Sequence, residues 1–245
     1  MNSRIYIGSI LLERNRWVPG KRPTYRVSEW DERFVAAGLD GVELWENHLL
    51  LAPPEEQRAL MQMACPVKIY NVYFTFGDEQ LAERRQAAEW IRRLGVEGVK
   101  YNLGKDLARR SIEMRNLRAW EEMLPPTCRL LCECHAGTIL EEPAEARRFF
   151  DEAELQHNGI IVHCFGGDKE RLREWLRLFG DEVCHVHVQT REEGERLERL
   201  RLLKEVGFRG TFTLEFTRGT GAPDENMEAL FAEALKDLHF LRENW

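Results

Sequence analysis

The 245-residue chain has no apolar run approaching the roughly 20 residues needed to cross a bilayer, so no membrane span is expected. Its first residues, MNSRIYIGSILLERNRW, lack the charged, apolar, then small-residue order of a secretory signal. Their short apolar run stops at Glu13 and reads as a first strand. Cysteines at loop spacings are also missing. Cys65, Cys128, Cys132, Cys134, Cys164 and Cys184 all fall in or beside strand-like segments. No disulfide framework is expected, and a reducing cytoplasm is the natural setting. There is no basic stripe. Net charge is −7, and the arginine pairs 84–85, 92–93, 109–110 and 147–148 are interleaved with Glu, as on solvated helix faces. Nucleic acid is therefore not an expected partner. No serine sits in an elbow-like strand-to-helix turn, which excludes that form of nucleophilic catalysis. No low-complexity linker divides the chain, so 1–245 is read as one domain. A single barrel of about 250 residues is ordinary.

What is present is an alternation. Strand-like segments occur at 4–10, 41–45, 67–74, 98–104, 129–135, 159–165, 183–189 and 210–216. Helix-period stretches lie between and after them, at 28–37, 54–64, 79–94, 106–124, 142–154, 168–179, 192–206 and 225–242. The phrases AAGLDGVEL, RLGVEGVKY and EVGFRGTFTLE repeat a pattern of helix end, Gly, two residues, Gly, strand. Gly41, Gly98, Gly159 and Gly210 are read as closing the preceding helices. Repeated βα units with short connectors imply parallel strands joined by right-handed crossovers. Eight units close a barrel. An open doubly wound sheet would not explain polar residues on the inner parity of so many strands, so the expected fold is a (β/α)8 TIM barrel.

Four of the late strands each end in one metal-capable side chain: Glu133, His163, His187 and Glu215. In RLLCECH, Leu131, Glu133 and His135 share one parity, opposite to Leu130, Cys132 and Cys134. Two carboxylates and two imidazoles converging from consecutive strands form a divalent-metal site, and TIM-barrel chemistry lies at these C-terminal strand ends. His135 is read as a partner above Glu133, and His185, one pleat deeper than His187, as supporting or structural. Cys132, Cys134, Cys164 and Cys184 have the opposite parity and should face the helices as small apolar residues. Glu43 and Trp45 share the inner parity of strand two, and Lys100 and Asn102 that of strand four. Glu43 is read either as a contact for substrate hydroxyls or as an ion-pair partner of Lys100. Trp45 is a candidate pocket wall, and Glu43, Trp45, Asn102, His135, His185, Arg191 and Arg218 make up the candidate substrate-binding set. Arg191 and Arg218 follow strands seven and eight, where barrels often hold phosphate. Against that, Asp224 and Glu225 should already occupy the positive end of the last helix.

GLDGVELWENH, LLCECHAG, VCHVHVQT and GFRGTFTLEFT stand in order along nearly the whole chain. With them the sequence resembles the sugar-phosphate isomerase/epimerase family of xylose isomerase-like barrels. The resemblance implies one divalent ion (Zn, Mn, Co, Ni, Fe or Mg) held by Glu133, His163, His187 and Glu215. The family's sixth strand carries Asp, with His three residues on; this chain has His163 and Gly166. An imidazole there softens the donor set and favours Zn, Co, Ni or Fe over Mg. The implied reaction is proton transfer beside a metal-polarised carbonyl, with Glu133 and Glu215 as acid/base groups. The leading expectation is isomerisation or epimerisation of a small sugar, sugar phosphate or polyol acid, in a chain that could form a homo-oligomer. A dehydratase or lyase of the same family and a non-catalytic ligand-binding barrel stand as alternatives. A nuclease resembling endonuclease IV ranks last, because it needs more His and Asp ligands and a basic surface.

Overall fold

The structure, a computed structural model, describes residues 3–190 and 195–245. Arg191 and the start of the 192–206 stretch lie outside the described residues. Eight parallel strands close into a barrel in sequence order, with the last pairing back to the first. They are β1 (Ile5–Gly8), β2 (Gly41–Trp45), β3 (Val67–Asn71), β4 (Gly98–Tyr101), β5 (Arg129–Glu133), β6 (Asn158–His163), β7 (Val183–Gln189) and β8 (Thr211–Phe216). The helices are α1 (Asp31–Ala37), α2 (Asn47–Leu50), α3 (Pro54–Leu60), α4 (Leu81–Leu94), α5 (Arg110–Glu121), α6 (Pro143–Ala153), α7 (Lys169–Phe179), α8 (Arg196–Glu205) and α9 (Met227–Asn244). This is the expected (β/α)8 barrel.

The alternation of side chains makes two cores. Outward residues such as Ile7, Val42, Leu44, Val99, Leu130, Ile160, Val186 and Leu214 pack under the helices with Phe34, Trp120, Phe149 and Leu241. Each such side chain contributes about 1.5–3 kcal/mol on burial. Inward residues fill the barrel in layers. Tyr6, Ile69, Leu131 and Ile161 form an apolar plug at the lower end, and two residues further along β3, β5 and β6 the interior turns polar with Asn71, Glu133 and His163. That step sets the site at the C-terminal end.

Four local expectations change. Residues 9–12 leave the first strand as a 3₁₀ turn, and 72–74 are not strand. The helix-closing glycines are the first of each pair: Gly38 and Gly95 cap α1 and α4 with φ of 75° and 64°. The second glycines instead give room at the crowded barrel base. A Cβ at Gly210 would run into the carbonyl oxygen of Cys184, and one at Gly98 would stand 2.7 Å from Leu131 Cδ1. Cys184 itself does not face the helices. A bulge pairs Ile160 with Val183 and Ile161 with His185, so Cys184 is the extra residue and packs on the inner plug. Arg84, expected on a solvated face, is buried and donates to the carbonyl of Gly77 (2.6 Å).

Candidate metal centre

Four side chains from β5, β6, β7 and β8 meet at the upper end of the barrel. One donor atom from each of Glu133, His163, His187 and Glu215 lies within 4.8 Å of the others. Glu133, His187 and Glu215 are buried, and His163 is half-buried at the rim. Glu133 Oε1 is 2.9 Å from His163 Nε2 and 3.3 Å from His187 Nδ1. Glu215 Oε2 is 3.2 Å from the same Nδ1 and accepts a hydrogen bond from Gln189 Nε2 (2.7 Å). The His163 and His187 rings stack, with centroids 5.5 Å apart.

The orientation of His187 is set from below. Its Nε2 lies 3.1 Å from Glu43 Oε1, which also accepts from Asn71 Nδ2 (2.7 Å). The other oxygen of Glu43 lies 3.2 Å from His185 Nε2, and His185 is further held by Thr211 and Thr213. Glu43 is 1 % exposed and covered by two imidazoles, so in this structure it lies beneath the rings and supports them. It does not pair with Lys100. That ammonium sits on Glu133 Oε2 at 2.6 Å, because β4 and β5 are neighbours in the barrel and Lys100 pairs in register with Leu131, two residues before Glu133. Asn102 Nδ2 donates to the carbonyl oxygen of Glu133 (2.7 Å) and reaches Oε2 at 3.2 Å.

The charges reinforce one another. Burial opposes ionisation of Glu43, but the charge of His187 and hydrogen bonds from His185 and His187 hold it well below the usual carboxylate range. Burial likewise opposes Glu133, and the charge of Lys100, with the His163 hydrogen bond and the nearby His187 ring, overcomes it. Glu215 is lowered in the same sense, chiefly by His187. His187 is raised well above the ordinary imidazole value, because Glu215 and Glu43 outweigh its burial. His185, with less carboxylate around it, is lowered by burial.

A divalent ion fits this donor set. His187 Nδ1 is buried with no hydrogen-bond partner, although two carboxylates face it. Buried polar atoms are normally satisfied, and a cation is what two carboxylates and a ring lone pair jointly accept. Glu43 beneath Nε2 supplies the carboxylate–histidine arrangement that orients metal-ligating imidazoles.

The other candidates are elsewhere. His135 is exposed, with Nδ1 turned to the carbonyl of Ala136 (2.7 Å), because the chain leaves β5 at Glu133. Trp45 is buried against Ile10 and Phe216 beside the mouth. Arg218 is exposed beyond β8. Asp224 and Glu225 do not start the last helix. Asn226 caps it by accepting from the Ala229 amide (2.9 Å), while Glu225 pairs with Arg16 (2.8 Å) and also takes the Gly221 amide of the RGTGAP run. Asn71 and Gln189, absent from the sequence candidates, share the inner parity of their strands with Ile69 and His187. That parity was the available signal.

Barrel and site together define a (β/α)8 TIM barrel with a buried Glu/His cluster at the C-terminal end of its strands. No family model matches the chain, and no curated protein does. Solved structures match over almost its full length. One is the 3-keto-D-glucoside 4-epimerase of E. coli, at TM-score 0.72 and 18% identity, covering 99% of this chain and 100% of that one. Another is the probable 3-DHS dehydratase AsbF of Bacillus anthracis, at 0.71 and 13%, covering 96% and 98%. A third is a xylose isomerase-like TIM barrel protein of Mycobacterium smegmatis in complex with magnesium, at 0.68 and 11%, covering 99% and 97%. At these identities the likeness is one of fold.

Proposed function

We propose that the protein is a divalent-metal-dependent isomerase or epimerase of a small sugar, sugar phosphate or polyol acid. The observation that carries this reading is the meeting of four donors around a buried His187 Nδ1 that has no hydrogen bond. Glu133 Oε1, His163 Nε2, His187 Nδ1 and a Glu215 oxygen would hold the ion. Two nitrogens and two oxygens suit Zn, Fe, Ni or Co, and Mn or Mg through the carboxylates. When bound, the ion supplies Lewis-acid polarisation of a substrate carbonyl.

The chain's own residues divide the remaining work. Both oxygens of Glu133 are engaged, Oε2 by Lys100 and Asn102 and Oε1 by His163. Glu215 is held by Gln189 and His187 at Oε2 alone, and its Oε1 has no hydrogen-bond partner among the described residues. Glu215 is therefore the better placed proton acceptor, and Glu133 the fixed ligand. The apolar plug of Tyr6, Ile69, Leu131 and Ile161 closes the floor, so substrate enters from the C-terminal face. The named neighbours include an epimerase and a dehydratase, and both reactions can begin with removal of a proton next to a carbonyl.

The test is metal analysis of protein purified without added cations, followed by solvent deuterium exchange over a panel of ketoses and 2-keto sugar acids. One bound transition metal, lost in Glu133→Ala, and exchange abolished in Glu215→Gln with the fold intact are expected. Metal-loaded protein that exchanges nothing across the panel would favour a ligand-binding barrel. Exchange retained in Glu215→Gln would move the base to Glu133.

A further inference from the structure

Lys100 carries a charge inside the barrel that metal binding does not explain. It is 2 % exposed on β4, and its ammonium touches the carboxylate whose other oxygen faces His163 and His187. The Tyr73 ring lies over it, 5.1 Å from Nζ to the centroid. An ammonium has three N–H donors. Glu133 Oε2 takes one, and no other hydrogen-bond acceptor among the described residues takes the rest. Burying a lysine is costly, and the field of Glu133, Glu215 and Glu43 offsets that cost while only Glu133 takes a hydrogen bond. A positive charge one carboxylate away from a cation site also repels the cation. The neighbouring carboxylates account for a cation here, but not for an ammonium with N–H donors left over beside the cation site. A negative charge that arrives with the substrate would use them.

We propose that Lys100 is a catalytic residue of this site, donating a hydrogen bond from its ammonium to the substrate oxygen on which negative charge develops. The inference rests on the function proposed above. In the step concerned, the C–H bond beside the carbonyl breaks and its proton passes to the Glu215 carboxylate. The C–H electron pair forms a carbon–carbon double bond, and the carbonyl π pair moves onto oxygen. That oxygen, now anionic, lies against Lys100, whose proton stays on nitrogen. Nothing is oxidised or reduced overall, and return of the proton to either carbon completes the exchange. The substrate class this favours is an α-hydroxy ketone, whose enediolate places two oxygens within reach of a cationic wall. Glu133 Oε2 keeps the ammonium in place between turnovers, so the donor is oriented before charge appears.

The probe is glycolohydroxamate, a planar oxyanion that imitates an enediolate. Its binding to Mn²⁺-loaded protein is measured by calorimetry in wild type and in Lys100→Gln, after Mn²⁺ binding itself is titrated in both. Glutamine removes the charge and keeps an N–H donor on a side chain one bond shorter. Lys100→Gln should bind Mn²⁺ at least as tightly as wild type, and should hold the hydroxamate about 100-fold more weakly, the scale of losing one oxyanion donor. A hydroxamate affinity within threefold of wild type would overturn the assignment. So would loss of Mn²⁺ from the variant, which would make Lys100 a positioning residue for Glu133. Should the variant not fold, the crystal structure of the wild-type Mn²⁺–hydroxamate complex decides. Nζ within about 3.2 Å of a hydroxamate oxygen supports the role, and a separation beyond hydrogen-bond range ends it. Wild-type protein that takes up no Mn²⁺ would strike the proposed function itself, whereas wild type and variant that bind both alike would strike Lys100 alone.

Discussion

Two buried histidine–glutamate clusters can be set side by side in this barrel. In the first, His48 of α2 lies 2.9 Å from Ser9 Oγ through Nδ1 and 3.1 Å from Glu13 Oε2 through Nε2. Glu13 in turn accepts from the Asn15 and Thr24 amides and from the Thr24 hydroxyl. Every polar atom of that cluster is used, and it pins the 9–24 segment to the start of α2. In the second, His187 is held by Glu43 at Nε2 while Nδ1 faces Glu133 and Glu215 without a hydrogen bond. Burial and a carboxylate partner are common to both. What separates a structural knot from a candidate centre is the unsatisfied nitrogen and the second and third carboxylates facing it.

The largest expected effect breaks the closed cluster. Glu13→Ala leaves His48 Nε2, two amides and the Thr24 hydroxyl unpaired in the interior. Each buried donor left without its acceptor costs about 1–3 kcal/mol. Urea unfolding should register that loss while metal uptake by the folded fraction stays at the wild-type level. Metal lost together with stability would show that the two clusters are not independent. Glu43→Gln comes next and acts on the open cluster. It keeps the shape, but an uncharged amide with one acceptor oxygen in place of two weakens the hold on His187 Nε2, so metal affinity should fall about 10–100-fold. Calorimetric titration with Mn²⁺ or Zn²⁺ checks it. Unchanged affinity would mean that His187 needs no carboxylate beneath it.

Much of this was written in strand parity. Glu133, His163, His187 and Glu215 could be placed on one face of four strands because alternation is a local property of each segment, and β2 and β7 run as expected from end to end. Pairings across strands were less legible. Lys100 meets Glu133 and not Glu43 because register between β4 and β5 is set by the closure of the whole barrel. The bulge that turns Cys184 inward is likewise invisible to a period-two count, since it is an extra residue relative to β6. His135 failed as a partner for a simpler reason: parity was extended past the end of the strand, where the backbone no longer alternates.

The smallest effect is a difference in pH dependence, and it contrasts the clusters without altering either carboxylate. Burial lowers the His48 pKa from its ordinary 6.5 despite Glu13. The unfolded chain therefore takes up that proton first as pH falls, and stability drains away from about pH 6.5 downward through the folded value. Glu13, also lowered from 4.5, extends the loss further into acid as its carboxylate is protonated. His187 runs the other way. Its pKa is raised well above 6.5, so in chelator-treated protein its contribution is complete below 6.5 and is lost as pH rises through the folded value. Metal uptake must expel the Nδ1 proton, so stabilisation by added Zn²⁺ or Mn²⁺ should increase with pH where the apo protein weakens. Urea midpoints across pH, with and without metal, read both arms. His48→Gln should flatten the loss between pH 6.5 and the folded value and leave the metal-dependent arm in place. An acid arm that survives unchanged in His48→Gln would assign it to other groups and remove the contrast between the clusters.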